Sequence, residues 1–455
     1  MNKKFVIGVL VLCALVQGLV FSSGKQETKT VQPVVSDYAT TTKVDKDISL
    51  KLTFLTHKQG MEEEFALYQS EFNKIYPNVK IIYEPIGDYK KNVEIRWTSG
   101  DWGDMCMIPH QFLTETQLPN LFAPLGKVAE FDKKYEFASA FSLDGDVYGI
   151  TSTGTAYGVL YNKKVLNQAG VSEIPKNPED FFAALRKVKA NTSAIPLYCN
   201  YGAGSRLADW EWNARGSLTG DANYKNKMIY MVDPFSAGKP YNTVMKMLYD
   251  VVDQDLVEDD PSTSTWDTCK NLLAQGKVAA TVIGSWATVN AQNDAENPDD
   301  IVFAAFPWNT DGKQYATIAA DYAYAINKNI SPERYQVAKE YIIWLTEKSN
   351  FSYETGGIPI VKGEKYPKTL AALQDAGVTL VPDAPPHPSD IGIFDELNSE
   401  SELYLGKFPE KARLVESAMG QTKESFDSIM NDWNKRWTKA QIELLGEDYA
   451  SKTRY

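Results

Sequence analysis

Several polar and aromatic side chains stand at places in the sequence suited to meeting a ligand. In VAATVIGSWATVN, which begins at Val278, a run of small and β-branched residues is broken by Gly284-Ser285, and Trp286 follows at once. Such a run reads as a buried strand, and an indole just beyond its end offers a flat apolar face. ADWEWN carries Trp210 and Trp212, with Asp209, Glu211 and Asn213 alternating with them. On a strand the two indoles would share a face; on a helix they would diverge by about 200°. Trp210 is the one expected to face a ligand. His57 and Lys58 follow the first strand-like run, and His110 and Gln111 follow the third. Rings supply stacking surfaces, and imidazole, ammonium, amide and carboxylate groups supply hydrogen bonds. Together they point to reversible recognition of a polar molecule.

Covalent chemistry has little support. The chain has no GxSxG elbow, no GxxxxGK[ST] phosphate loop and no HExxH metal motif. GAGSR, Gly202–Arg206, lacks the Lys-Thr that a phosphate loop needs. With 59 Asp and Glu residues, a pair of carboxylates can always be nominated, so composition says nothing for a glycosidase. His57, His110 and His387 show no HxH spacing and no nearby Cys. No metal, no cofactor and no catalytic activity are expected.

The elements that must position these groups alternate. ISLKLTFLT reads as a strand; MEEEFALYQSEFNKIYP is a helix with Phe65, Tyr68, Phe72 and Ile75 on one stripe; NVKIIYEPI is a second strand. A helix over Tyr89–Thr98 leads to a third strand in GDMCMIP, and this order describes a parallel α/β sheet. In SLDGDVYGI, Asp144-Gly145 is the turn of a hairpin. A second α/β unit starts near Ala156 and includes a helix capped by Asn177 with Pro178 in its first turn. Ligands of open sheets sit beyond the carboxyl ends of the strands, and in two-lobed proteins at the interface between lobes. The groups named above follow strand ends far apart in sequence.

Composition sets outer bounds. A chain of 455 residues is too long for one core, and two lobes of roughly 150–200 residues are expected. A net charge of −12 without a basic stripe argues against nucleic acid. Lys3-Lys4, the apolar run Phe5–Phe21 and Ser22-Ser23-Gly24 read as a signal peptide, so the chain is exported. Cys13 sits mid-run, an unusual place for a lipidated cysteine, and a lipoprotein tether through it is the alternative. Lys25–Asp47 has no period and reads as a flexible tether. Cys106, Cys199 and Cys269 are widely spaced and read as buried thiols.

Taken in order, LTFLT, SEFNKIYPNVKI, TSGDWGDMCMIP, DVYGI, GVLYNKKVLNQAGV, PEDFFAALRKVKA, LLAQGKVAATVIGSW, DYAYAINKNISPERYQVAKEYIIWLT and GGIPIV span most of the chain. In this order and spacing they resemble the extracellular solute-binding proteins of ABC importers, within the carbohydrate-binding group that includes maltose-binding protein. The resemblance implies an α/β, two-lobed periplasmic-binding-protein-like fold with hinge-crossing segments and an interlobe cleft. The N-terminal reading gives a signal peptide over residues 1–22 and a flexible tether over 23–46. Lobe I would comprise 47–153 plus 318–354, and lobe II 154–317 plus 355–455. The resemblance further implies a monomer that captures a sugar or oligosaccharide and delivers it to the transmembrane permease subunits, in the periplasm or cell envelope. Trp286 would stack on the sugar, Asp321 would face the hinge, and Phe394, with Asp390 and Asp395, would lie on a cleft-lining segment. Two departures concern the ligand. Thr151 follows Ile150 where the family commonly has Pro, and Thr151–Thr155 (TSTGT) carries no carboxylate. An exported carbohydrate-active enzyme, or the same fold binding a non-sugar solute, are the alternatives.

Overall fold

The computed structural model describes residues 44–455 except Gln111 and Ala203. The expected signal peptide, nearly all of the tether, Cys13 and Gln111 therefore lie outside the described residues. Among the described residues no helix is long and apolar enough to cross a membrane.

Two sheets organise the chain. The first has five strands in the order Val79–Pro85, Leu50–Thr56, Met105–Ile108, Ala323–Ile326, Ile150–Thr151. Its first three strands are parallel, as the strand–helix alternation predicts, with Leu50 opposite Val79 and Phe54 opposite Met105. Ala323–Ile326 then joins antiparallel to both neighbours, because it returns to this sheet from the other one. The alternating residues Leu52 and Phe54 are buried against Phe65, Tyr68 and Phe72 of the helix Glu62–Phe72. That helix is shorter than its apolar stripe suggests. The Asn73 side chain donates to the carbonyls of Tyr76 and Val79, both at 2.7 Å, and turns the chain early. Ile75 is consequently 40 % exposed, and Tyr76 is buried in its place.

The second sheet has Gly154–Asn162 at its centre. Val278–Gly284, Ile301–Ala305 and Tyr315–Ala320 all pair antiparallel with it, while Ile195–Leu197 and Thr379–Pro382 add parallel edges. Every residue of Val278–Gly284 is buried, which is why small and β-branched side chains fill it. Helices close the faces of this sheet. One of them, Pro178–Asn191, starts as expected: the Asn177 side chain accepts from the Asp180 N–H at 2.9 Å. The hairpin turn also forms, with Asp144 and Gly145 both at positive φ (51° and 81°) between Ser142–Leu143 and Asp146–Val147. Cys106, Cys199 and Cys269 are free and buried.

The chain passes between the sheets side by side with itself. Thr151 pairs with Ala323 in the first sheet, and Gly154 with Ala320 in the second. Between them the Ser152 N–H donates to Tyr322 O at 2.7 Å, and the Asp321 N–H to Thr153 O at 2.9 Å. A third strand of chain joins at Gly154 and Ile358, which exchange backbone hydrogen bonds at 2.9 and 2.8 Å. Gly357 must be glycine here, since a Cβ would lie 1.9 Å from Thr153 Oγ1. Thr151, Ser152 and Thr153 are buried, and their small size lets the three segments lie this close.

Candidate functional site

A cleft of about 2300 Å³ lies between the two sheets' lobes and is lined from both sides. That exceeds the roughly 300–1,000 Å³ of a typical small-ligand pocket and suits an extended ligand.

Trp286 sits at one part of its wall, half-buried at the start of the helix Ala287–Asp294. Ser285 extends the strand pairing: its N–H donates to Ala156 O at 2.7 Å, and its hydroxyl accepts from the Ala156 N–H at 3.0 Å. Gly284 leaves the space the indole needs, because a Cβ there would fall 2.6 Å from Trp286 Nε1. The Trp266 ring meets Trp286 edge-on with centroids 5.0 Å apart, and the Arg206 guanidinium lies 4.8 Å from the Trp286 ring centre. The Arg206 guanidinium thereby covers one face of the indole and Trp266 abuts the ring, while part of it stays exposed to the cleft.

From Trp286 a row of contacts runs along the same wall. Arg206 pairs with Asp209 at 3.4 Å. The helical turn Asp209–Trp212 leads to Trp212, which stacks on Tyr157 with centroids 4.6 Å apart and planes 4° from parallel. The Arg215 guanidinium lies 4.3 Å from the Trp212 ring centre and is buried between Glu211 and Asp383, at 2.6 Å from each. Arg215 reaches both because the segment Asn213–Ser217 is a π-turn in which Arg215 leaves helical geometry (φ −98°, ψ −123°). Ser217 ties that turn to the sheet, its N–H donating to Thr317 Oγ1 at 2.8 Å.

The opposite wall carries the groups that follow the first sheet's strands. His57 stacks on Tyr322 with centroids 3.8 Å apart, and its Nδ1 is buried with no hydrogen-bond partner. Lys58 and Lys90 also line the cleft. His110 lies across from Trp212, with ring centroids 5.8 Å apart, so the two walls nearly touch there. Asp321 stands on the cleft floor at the crossing between sheets.

Burial dominates the electrostatics. It holds His57 well below its ordinary pKa, helped by Lys58 and Lys90. It brings His110 down to about 3, with Lys225, Arg215 and Lys90 adding to the effect, so both imidazoles are neutral near pH 7. Burial also raises Asp209 to about 6, against the pull of Arg206 and Lys90. It raises Asp321 too, opposed by Lys58, Lys90 and Arg206. For Glu211, burial would raise the pKa, but Arg215, Lys411 and the Tyr241 hydroxyl together hold it low. The cleft thus presents neutral imidazoles, flat rings, and cations mixed with carboxylates. It has the donors and acceptors for hydroxyl groups and the faces for C–H surfaces. Among the described residues no three His, Cys, Asp or Glu side chains are grouped to hold a metal ion.

Residues 57–350 match the family model of the bacterial extracellular solute-binding proteins. The chain belongs to that family. Its fold is similar to a manno-oligosaccharide-specific solute-binding protein of Bifidobacterium animalis subsp. lactis, solved in complex with mannotriose. The two are 34 % identical over 88 % of this chain and 96 % of that one, with a TM-score of 0.81. A second binding protein of an ABC transporter from that organism, in complex with mannobiose, is also 34 % identical at the same coverage, with a TM-score of 0.80. An ABC transporter extracellular-binding protein of Pyrococcus horikoshii is 24 % identical over 302 residues, 63 % of this chain and 65 % of its own length.

In this solute-binding protein the cleft gathers Trp286, His57, Lys58, His110, Asp321 and Phe394. Phe394 lines it while packing edge-on against Trp437, and Lys225 lies 4.7 Å from its ring centre. Trp210 is a correction. It is 1 % exposed and packs edge-on against Phe306 in the core, and Trp212 lines the cleft instead. The cause is the helical turn Asp209–Trp212, which sends residues two apart to opposite sides.

Sequence reasoning missed Lys90, Tyr322, Tyr157, Arg206 and Trp266. The rule of looking just past strand ends would have found two of them: Lys90 follows Val79–Pro85 and Tyr322 follows Tyr315–Ala320. Tyr157 lies inside a strand, Arg206 at the end of the short 3-10 turn Gly204–Arg206 and Trp266 at a helix start, and no pattern singles them out.

Proposed function

We propose that this protein is the substrate-binding component of an ABC importer and captures an oligosaccharide in the cleft. The observation that carries the reading is Trp286, held at the end of a fully buried strand with its indole open to a cleft of about 2300 Å³. Indole faces desolvate the C–H side of a sugar ring without a charge penalty. The cleft also holds Tyr157, Tyr322, neutral imidazoles and carboxylates suited to the hydroxyls. Oligosaccharides of mannose are the first candidates, because both solved relatives at 34 % identity hold them.

Lobe I comprises residues 47–153 with 321–354, and lobe II residues 154–320 with 355–455. The second crossing is proposed at 321 in place of the expected 318, a change supported by the pairing of Ile318–Ala320 with Gly154–Ala156 in the second sheet. Closure of the lobes over the ligand is driven by contacts made better in the closed form. The closed form is delivered, as a monomer exported to the cell envelope, to the transmembrane permease subunits. The protein carries out no turnover of its ligand.

A thermal-shift screen against mannobiose, mannotriose, cello-oligosaccharides, malto-oligosaccharides, amino acids and polyamines tests this. A saccharide should raise the midpoint in a concentration-dependent way. A response confined to amino acids or polyamines overturns the sugar reading. Prolonged incubation with the bound saccharide should return it intact on chromatography, and release of shorter products overturns the binding-only role.

A further inference from the structure

The cleft wall beyond Arg215 is built from a segment with little backbone of its own to hold it. Between the strand Thr379–Pro382 and the helix Ile393–Glu400 the chain reads DAPPHPSDIG. Pro385, Pro386 and Pro388 have no N–H to donate, and the segment joins no sheet. Asp383, Pro385 and Asp390 nevertheless line the cleft.

The first half is fastened from the π-turn side. Arg215 pairs with Asp383, and the Asn226 side chain donates to Ala384 O at 3.0 Å. The second half is fastened by two residues more than sixty positions away. The Tyr455 hydroxyl accepts from the His387 N–H at 2.8 Å and donates to Asp390 Oδ2 at 2.9 Å, bridging the turn around Pro388. Arg454 Nη1 donates to Asp390 Oδ1 at 3.0 Å and to the Tyr230 hydroxyl at 2.7 Å, and that hydroxyl donates to Asp390 Oδ1 at 2.7 Å. Asp390 is 2 % exposed, so its carboxylate depends on these donors and on the Ser389 hydroxyl, which donates to Oδ1 at 3.1 Å.

We infer that Arg454 and Tyr455 are positioning residues for the ligand cleft. Acting through Asp390, they hold Asp383–Gly392 as the wall of a distal subsite, separated from Trp286 by the row Arg206, Asp209, Trp212 and Arg215. A saccharide long enough to pass that row meets this wall, whereas a short one held at Trp286 does not. The inference rests on the proposed oligosaccharide ligand and adds to it a determinant of chain length.

Titration calorimetry of wild type, Tyr455→Phe, Arg454→Lys and Asp390→Asn with mannobiose and with mannohexaose tests it. Tyr455→Phe removes one hydroxyl and keeps the ring, so the fold is retained, and Arg454→Lys keeps the charge. Each variant should bind mannohexaose at least fivefold more weakly than wild type, and Tyr455→Phe and Arg454→Lys, which lie outside the cleft lining, should bind mannobiose within twofold. The Tyr455→Phe/Asp390→Asn double variant should lose little more than the single variants, because the two act as one unit. Hydrogen exchange should quicken in residues 383–392 of Tyr455→Phe. Unchanged mannohexaose affinity, or equal losses for both saccharides, overturns the inference alone. A wild type that binds neither saccharide overturns the underlying reading and the inference with it.

Discussion

Arg215 and Glu211 form an ion pair at 2.6 Å with both side chains almost wholly removed from solvent, directly behind the cleft wall. Each is also held elsewhere: Arg215 by Asp383, and Glu211 by the Tyr241 hydroxyl at 2.8 Å. A buried pair of this kind contributes little net stability over an apolar alternative, but breaking it from one side leaves a charge stranded. Arg215→Leu should therefore lower unfolding stability by about 3–5 kcal/mol in urea denaturation. A loss below about 1 kcal/mol would mean that Glu211 finds another partner or takes up a proton without strain.

Gly284 is a second point of leverage, because its missing side chain is where the Trp286 indole lies. A Cβ there would be 2.6 Å from Trp286 Nε1 and 2.8 Å from Thr155 Cγ2. The strand backbone itself accommodates a β-branched residue. Gly284→Val should cost about 1–3 kcal/mol of stability through overpacking and turn the indole out of place. Near-ultraviolet circular dichroism should register the altered indole, and saccharide affinity should fall at least about tenfold, the loss of roughly 1.4 kcal/mol. An unchanged spectrum with unchanged affinity would show that the indole has room to spare.

The raised pKa of Asp209 makes a signed prediction. In the folded state it titrates near 6, against 3.8 in the reference state. Between those values the native protein binds more protons than the unfolded chain, so this group's contribution to stability declines as pH rises from about 4 to about 6. Asp209→Asn removes that decline. The stability of the variant relative to wild type should shift in its favour by about 2–3 kcal/mol between pH 4 and pH 7. Denaturation midpoints at the two pH values measure it, and a constant difference would show that Arg206 neutralises Asp209 more fully than burial penalises it.

His110 gives the opposite slope, and it does so in ligand binding. Its low pKa of about 3 comes first from burial and then from Lys225 and Arg215 of the facing wall and from Lys90. Opening the cleft exposes the imidazole and lets it approach its ordinary value of about 6.5. Closure over a ligand must then expel a proton at acid pH. Affinity should fall as pH drops below about 6.5, and His110→Gln should flatten that dependence. His57, also held low, leaves a residual slope in the same direction. A pH-independent affinity in wild type between pH 5 and 7.5 would contradict this account.

How much of this was legible in the sequence varies with the range of the interaction responsible. The buried strand Val278–Gly284, the Asn177 cap and the Asp144-Gly145 turn are set by neighbours in sequence, and all three form as read. The two-lobed arrangement was implied by the resemblance, since no local pattern could tell that Ala323–Ile326 pairs with Met105–Ile108. Residues that follow strand ends line the cleft because sheet geometry alone brings them to one edge. Trp210 was misplaced because alternation in ADWEWN fits a strand as well as a helix, and the helical turn exchanges it with Trp212. Arg206, Tyr157 and the bridge from Tyr455 to Asp390 depend on contacts between distant segments, and nothing local marks them.

The central claim is that a saccharide stacks on Trp286 within the cleft. Its most direct test is a calorimetric titration of mannotriose into wild type and Trp286→Ala at pH 7, with thermal unfolding of each protein recorded alongside. Loss of a buried aromatic contact with a ligand is worth about 2 kcal/mol or more, so the variant should bind roughly 30-fold more weakly, or not measurably, while still unfolding cooperatively. Equal affinity in a folded variant would contradict the claim and place the ligand elsewhere.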